Sequence, residues 1–334
     1  MTPLASHPPT RVRVVDSHTS GAPTRVVIDA AFLAACDLGL GSVAARRDVF
    51  RERYDRLRRA LLSDPRGSEA MVGVLLLPPS DPHCSLGAFY LNTVGYLDMC
   101  GHATLGLAVS LGTLGRIAVG TFQLETPAGR VAVTWHGGNE ASFENISPQR
   151  TARGLSLACA DGRLLTGDIA TAGLWFFFTR DHGERVAPEQ IPQLTARAWA
   201  IRRALKLRGL TGTRGQEIDH IVLLAPPEDP ANDGRAFVLC PDGAFDRSPC
   251  GTATSALVAM LYEDGLLEAE TIWRQESVLG GVYAASVRQQ AGLLVPTVRG
   301  RAWLTAESDL HFAENDPYRT GLPEVASVRR WCGE

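Results

Sequence analysis

One phrase occurs twice in this chain, and it limits the possible folds more than any other feature. MCGHATLGLAVSL spans Met99–Leu111, and a matching stretch sits inside DRSPCGTATSALVAML at Asp246–Leu261. Laid over each other at an offset of 150 residues, Cys100/Cys250, Gly101/Gly251, Ala103/Ala253, Thr104/Thr254, Leu107/Leu257 and Leu111/Leu261 are identical. In both copies a cysteine opens an apolar run with helical spacing. The repetition predicts a duplicated α/β unit with two matching half-sites, and two copies are too few for a long solenoid.

A cysteine at a helix start has a distinct chemistry. The first residues of a helix carry backbone N–H groups without an intrahelical acceptor, at the positive end of the helix dipole. A thiol there can have its pKa lowered from ~8.5 into a range of roughly 3.5–7.5, which makes thiolate available near neutrality. The following glycine lets the backbone approach a ligand and aim successive N–H groups at a carboxylate. Each copy therefore reads as a thiol beside an anion cradle.

With 334 residues, 45% of them hydrophobic and 21% charged, the chain can bury a full core and is expected to form two domains of ~150 residues. The expected division is residues 1–150, carrying Cys100, and residues 160–315, carrying Cys250, with the tail 316–334 a candidate addition to the first half. A net charge of −3 with scattered Lys and Arg leaves no basic footprint for nucleic acid, so a small-molecule partner is favoured. The opening MTPLASHPPTRVRVVD has no apolar segment after a basic start, and no apolar run approaches the ~18–20 residues that cross a bilayer. A cytoplasmic protein with no membrane association is expected. The seven cysteines, at 36, 84, 100, 159, 240, 250 and 332, form neither a disulfide framework nor a C-x-x-C metal pair. Free thiols in a reducing compartment follow, with Cys36, Cys84, Cys159 and Cys332 read as small buried apolar side chains.

Along the chain, Arg11–Asp16 and Thr24–Asp29 are predicted strands around the turn-prone SHTSGAP. Val43–Leu62 is a predicted surface helix, with Val43, Phe50, Tyr54, Leu57 and Leu61 inward and its arginines on a solvated face. Strands are predicted at Met71–Leu77 and Leu86–Leu91, then, beyond the Cys100 helix, at Thr121–Glu125, Arg130–Trp135 and Ala141–Ile146. Ser147–Gly162, with Pro148, Gly154 and Gly162, reads as the passage between halves. The second half repeats the recipe, with a strand near Leu174–Thr179, an amphipathic helix at Gln190–Leu207, and strands at Ile218–Leu224 and Arg235–Leu239 before Cys250. Strands at Thr271–Arg274, Gly281–Val287 and Leu293–Arg299 follow it.

If both halves serve one substrate, Cys100 and Cys250 suit proton transfer at a single carbon, one thiolate abstracting and the other thiol donating. Charge delocalised into an amino-acid carboxylate would be held by the N–H groups of Gly101, His102, Gly251 and Thr252, and no electron-sink cofactor is needed. Protonation from the opposite face inverts the stereocentre. His102 and Asp246 are candidate contacts for the substrate amine. Asp246, four residues before Cys250, is also an ordinary helix-entry residue type. A nucleotide site lacks both a G-x-G-x-x-G and a Walker lysine. The lone Cys100/His102 pair is weak evidence for zinc, so no metal is expected. A Cys–His hydrolase would leave the second cysteine without a task.

These motifs resemble the proline racemase family, whose two signatures are close to MCGHATLG and DRSPCGTATSA; the family reads glycine where Ala103 and Ala253 stand. VDSHTSGAPTRVV, PRGSEAMVG, EIDHI and FVLCPDGAFDRSPCG extend the resemblance and look most like the 4-hydroxyproline 2-epimerase branch. The resemblance implies an α+β, diaminopimelate epimerase-like fold: two pseudo-symmetric domains, each a β-rich sheet or barrel around a central helix. It also implies a cofactor-independent two-thiol epimerase and a homodimer. Carried over, Cys100 and Cys250 are the acid/base pair, Gly101-His102 and Gly251-Thr252 the carboxylate cradle, and His102 with Asp246 the amine contacts. Val72, His220 and Cys240 match positions around the pyrrolidine ring. A small Val72 and a polar His220 would leave room and a hydrogen bond for a ring hydroxyl, favouring 4-hydroxyproline over proline; a purely structural His220 is the other reading. The dehydratase branch replaces the second cysteine, which Cys250 argues against. Ser20, Ala22 and Leu174 depart from the family pattern, and the alternative readings are a proline racemase or an enzyme for another proline-like substrate, and a catalytically silent family member that binds an amino acid or a partner.

Overall fold

The computed structural model describes residues 9–322, so Cys332 lies outside the described residues. The chain divides into two compact units, one running to Phe143 and resuming at Arg301, the other Glu144–Gly300.

The first unit contains β1 (Arg11–Thr19), β2 (Ala22–Val27), α1 (Ala30–Ala35), α2 (Val43–Leu62), β3 (Val72–Leu77), β4 (Leu86–Leu91), β5 (Tyr96–Leu97), α3 (Gly101–Thr113), β6 (Gly120–Thr126), β7 (Gly129–Gly137) and β8 (Glu140–Glu144). The second contains β9 (Gln149–Ala158), β10 (Leu164–Thr171), β11 (Trp175–Thr179), α4 (Ile191–Leu207), β12 (His220–Ala225), β13 (Gly234–Leu239), α5 (Gly251–Glu263), β14 (Trp273–Ser277), β15 (Val282–Gln290) and the start of β16 (Leu293–His311). The expected boundaries at 150/160 and 315 differ from this division because β16 is one long strand. Its residues Leu293–Arg299 pair with β15, and Ala302–His311 pair with β1.

In the first unit the strand order β1-β2-β3-β4-β6-β7-β8-β16 closes through the β16–β1 pairing into an eight-stranded barrel. In the second the order runs β16-β15-β14-β13-β12-β11-β10-β9. Both use parallel crossovers at matching places, and each crossover carries a helix, as parallel neighbours require. The β2/β3 crossover carries α1 and α2, β4/β6 carries α3, β11/β12 carries α4, and β13/β14 carries α5.

Helices α3 and α5 are the buried ones. All of Gly101–Gly112 and Gly251–Leu261 are buried, because runs such as GHATLGLAVSLG have no polar stripe to turn outward. In α3, Gly106 lets the helix lie against β1 and β2; a Cβ there would come within 2.8 Å of Ser17 Oγ and 3.1 Å of Thr24 Oγ1. Helix α2, by contrast, covers the outside, packing Phe50, Tyr54, Leu57 and Leu61 with Phe32, Leu75 and Phe89. No helix among the described residues is long and apolar enough to cross a membrane.

Two expectations need correction. Ser147–Gly162 is not a loop passage, because most of it is β9. Gly154, at φ +60°, belongs to a bulge in which Arg153 and Gly154 oppose Asp168, which breaks the alternation a strand would show. Nor are the arginines of α2 all solvated, since Arg46 and Arg58 are buried. They lie four residues to either side of Phe50 and Tyr54, in line with the inward face.

A buried glutamate anchors each unit in the same way. Glu125 on β6 accepts from Val43 N (3.0 Å), Ser80 Oγ (2.7 Å), Ser80 N (2.5 Å) and Asp81 N (3.0 Å). Glu276 on β14 accepts from Glu228 N (3.0 Å), Asp229 N (2.9 Å) and Asn232 Nδ2 (2.7 Å). Each strand leaves a central helix, and each carboxylate ties down the loop of the preceding hairpin. Burial by itself raises both pKa values, but the converging donors outweigh it and hold both below the ordinary glutamate range. A depressed folded-state pKa gives stability that is present above the unfolded value and lost as pH falls through the folded one. Glu276→Leu is therefore expected to cost on the order of 3 kcal/mol at neutral pH, by orphaning buried donors. Urea melts should show the gap to the parent protein shrinking below pH ~4; a gap independent of pH would contradict the anchor.

Candidate active site

Both repeated cysteines sit at the N-cap of a buried helix, Cys100 before α3 and Cys250 before α5, and neither side chain caps its helix. Each thiol instead meets the side chain two residues on: Cys100 Sγ lies 3.6 Å from His102 Nδ1, and Cys250 Sγ lies 3.5 Å from Thr252 Oγ1. Gly101, His102, Gly251 and Thr252 form the first turns of these helices, where N–H groups lack intrahelical acceptors. Thr19 Oγ1 donates to the His102 carbonyl (3.0 Å), tying that turn to β1. Ala103 and Ala253 are buried helix residues, so their methyl groups lie within the packing of each first turn.

The threonines shared by the two copies have a common structural task. Thr104 Oγ1 donates to the Cys100 carbonyl (2.8 Å), and Thr254 Oγ1 to the Pro249 carbonyl (3.1 Å), fastening the residue at or before each thiol. Tyr90, on β4, extends the first chain through a 2.6 Å hydroxyl contact with Thr104.

The two thiols differ in backbone. Cys100 is extended, at φ −141°, whereas Cys250 is held at φ +61°, in the left-handed region that costs a residue with a Cβ roughly 1–2 kcal/mol. Asp246 contributes to holding it there. Its Oδ1 accepts from Ser248 N and Ser248 Oγ, both at 2.8 Å, and Ser248 Oγ accepts from Cys250 N at 3.3 Å. Asp246 thus shapes the approach to α5 through one carboxylate oxygen. Ser248, which sequence reasoning passed over, is the link, and its only signal was a small hydroxyl residue two positions before the thiol.

Other candidate residues of the second unit gather beside this turn. His220 opens β12, packed 5.0 Å from the Phe176 ring. One residue beyond the Ile221–Leu239 pair, the register sets Cys240 opposite His220. Cys240 N donates to the Ala244 carbonyl (2.8 Å), and Asp246 N donates to the Val238 carbonyl (2.9 Å), folding the loop back along β13. His220 Nδ1 lies 2.7 Å from Asp219 Oδ1. A carboxylate there assigns Nδ1–H as the donor, so Nε2 would accept a hydrogen bond in the neutral ring and donate one in the imidazolium. Burial pushes the Asp219 pKa up, but the attraction and hydrogen bond of His220 and the charge of Arg202 bring it below the ordinary value. In the first unit, Val72 opens β3, buried and in register with Thr24 of β2. Ser20 and Gly21, both at positive φ, form the two-residue turn between β1 and β2, and Ala22 is buried just beyond it. Among the described residues no group of three His, Cys, Asp or Glu side chains is placed to hold a metal ion.

The sequence pattern of the family described as proline racemase matches residues 14–323. A 4-hydroxyproline 2-epimerase of Acinetobacter baumannii is 45% identical over 311 residues, covering 93% of this chain and 98% of that protein. One from Burkholderia cenocepacia is 46% identical over 312 residues, covering 93% and 99%. Among solved structures, a hydroxyproline epimerase from Agrobacterium vitis, with bound trans-4-hydroxy-L-proline, superposes with a TM-score of 0.83 over 96% of each chain at 19% identity. That likeness shows the fold: the epimerase-like architecture expected from the sequence, a β wall around a central helix in each half, is the one found.

The backbone difference between the thiols gives a test. Cys250→Gly is expected to be more stable than Cys250→Ala by ~1 kcal/mol, because only glycine relieves a positive φ. At Cys100 the order should reverse. Paired thermal or urea melts of the four variants decide it.

Proposed function

The chain belongs to the proline racemase family, and from that premise we propose that it inverts the α-carbon of trans-4-hydroxy-L-proline, giving the cis-4-hydroxy-D form. The observation that carries this is identity of 45–46% to proteins named 4-hydroxyproline 2-epimerase, over 93% of the chain. The substrate bound to the similarly folded Agrobacterium vitis protein is of the same kind. The enzyme is an isomerase of the racemase and epimerase class.

In this reading Cys100 and Cys250 are the two acid/base groups. One, as thiolate, takes the α-proton; the other, as thiol, returns a proton to the opposite face, and the roles exchange for the reverse reaction. The charge that develops in the carboxylate falls to the helix-start N–H groups of Gly101, His102, Gly251 and Thr252, which are already oriented by their helices. His102 and Asp246 receive the amine. Supporting this, each thiol sits at a helix N-cap with a polar side chain within 3.6 Å, in two copies of one motif. Val72, Cys240 and His220 line the ring, and His220, with Nδ1 committed to Asp219, presents Nε2 to the 4-hydroxyl. We assign the protein to the cytoplasm, where cysteine thiols such as Cys36, Cys84 and Cys159 stay reduced, and expect a homodimer, which sedimentation analysis reads directly.

Turnover of trans-4-hydroxy-L-proline in D₂O should place deuterium at Cα of the product. Inverted product that keeps its protium would end the proton-transfer mechanism. Cys100→Ser and Cys250→Ser are each expected to lower kcat by roughly 10²–10⁴-fold, and a variant with full activity would remove that thiol from the reaction. Substrate choice has its own test. His220→Phe should lower kcat/KM for 4-hydroxyproline by roughly tenfold or more, with a smaller loss for proline, because only the hydroxylated ring loses a hydrogen bond. Equal losses on both substrates would make His220 structural.

A further inference from the structure

Helices α2 and α4 occupy matching places in the two units. Each lies in the parallel crossover ahead of an antiparallel hairpin, β3/β4 in the first unit and β12/β13 in the second. Each hairpin ends in a turn that folds the chain back on its last strand. In the first unit Tyr96 of β5 pairs with Leu91 of β4; in the second Phe245 bridges to Leu239 of β13. The returning chain runs on to Cys100 in one case and to Cys250 in the other. The turn therefore sets where each thiol arrives at its helix.

A buried arginine of the outer helix grips each turn. Arg58 of α2 is 3% exposed and Arg202 of α4 is 1% exposed. Arg58 Nε and Nη2 donate to Asp55 at 2.7 and 3.0 Å, and its Nη1 donates to the carbonyls of Asn92, at 3.0 Å, and Thr93. Arg202 Nε and Nη2 donate to Glu217 Oε1 at 3.2 and 2.9 Å, and its Nη1 donates to the Pro241 carbonyl at 3.1 Å. Each guanidinium also lies over an aromatic ring, Arg58 over Tyr96 at 5.8 Å and Arg202 over Trp199 at 4.9 Å. Those rings belong to the same assemblies: Tyr96 Oη donates to Asp55 Oδ1 (2.9 Å), and a Cβ on Gly243, in the second turn, would come within 2.9 Å of the Trp199 ring. The 150-residue offset of the cysteine motif would pair Arg58 with the exposed Arg208, so only the fold reveals the match.

A guanidinium suits this task because its plane is rigid, and fixing Nε and Nη2 on one carboxylate fixes the direction of Nη1. A carbonyl held on that third nitrogen is thereby tied to the helix. Lysine, a point charge on a flexible stem, cannot make both attachments in fixed geometry. We propose that Arg58 and Arg202 are matched positioning residues, each setting the turn that delivers the thiol of its own unit, Arg58 for Cys100 and Arg202 for Cys250. Their part in epimerisation rests on the reading of those thiols as the acid/base pair, whereas the placement of the thiols does not.

Iodoacetamide labelling of the full-length protein, quantified for each cysteine by peptide mass spectrometry, tests the placement. Cys100 and Cys250 are 7% and 5% exposed, so labelling reports local opening of each helix start. Arg58→Lys should raise the labelling rate of Cys100 roughly threefold or more and leave Cys250 unchanged, and Arg202→Lys should do the reverse. Should either variant not fold, Asp55→Asn and Glu217→Gln, which alter only the part-exposed carboxylates, decide in their place by the same crossed pattern. Rates unchanged at both thiols, or raised alike at every buried cysteine, overturn the proposal. Turnover in D₂O adds a readout that a simple loss of folded protein does not move. A displaced thiol fails on its own face of the carbon while the other still exchanges the α-proton. Each arginine substitution should therefore reduce inversion roughly tenfold more than α-deuteration of one hydroxyproline isomer, with opposite isomers spared by the two variants. Equal loss of exchange and inversion in both variants overturns the positioning role. If the parent protein neither exchanges nor inverts, the proposed function fails, and the labelling pattern still decides whether the arginines place the thiols.

Discussion

Two helices with almost nothing to show to water govern this architecture. The buried lengths of α3 and α5 contain no Asp, Glu, Lys or Arg, and each fully buried leucine or valine in them is worth roughly 1.5–3 kcal/mol of transfer free energy. An amphipathic helix such as α2 is satisfied by covering one side of a sheet, whereas these need apolar cover on every side. In the first unit the response is closure, with eight strands around α3 and two glycines, Gly106 and Gly112, where strand side chains press close. The consequence for chemistry is direct. A helix sealed along its length still has a polar start, so its dipole and N–H groups are concentrated at the one end where a cysteine stands.

The loops and crossovers around those helices are held by buried charge. Glu125 and Glu276 each occupy the strand leaving a central helix and accept from backbone amides of a loop from the preceding hairpin. Burying a carboxylate is unfavourable in isolation, and it becomes a fastening only where several donors converge. Arg25 and Arg58 follow the same logic with carboxylate and carbonyl partners. Arg46 is the exception within the first unit, a buried cation whose Nε and Nη2 find no hydrogen-bond partner among the described residues.

Much of this was legible in the linear order because it depends on local spacing. The range of α2 follows from the period of Val43, Phe50, Tyr54, Leu57 and Leu61, and α4 from the pattern after Gln190. The doubled cysteine motif announced two central helices and the thiols at their heads. What misled was equally physical. A bulge at Gly154 destroys the alternation by which β9 would be recognised, and arginine is so often solvated that Arg46 and Arg58 were assigned outward despite their i±4 alignment with buried aromatics.

By itself, the sequence determined which residues start the two buried helices, what chemistry their side chains carry, and that the design is duplicated, since these properties need only neighbours a few positions away. Tertiary structure alone decided how those residues are held. The positive φ of Cys250, the Asp246–Ser248 support behind it, the Asp219 bond that fixes the His220 tautomer, and the desolvation of Arg46 all arise from how loops and strands fold back and pack. Hydrogen-bond geometry and burial are set by the packed arrangement of many residues, and no local pattern encodes that arrangement.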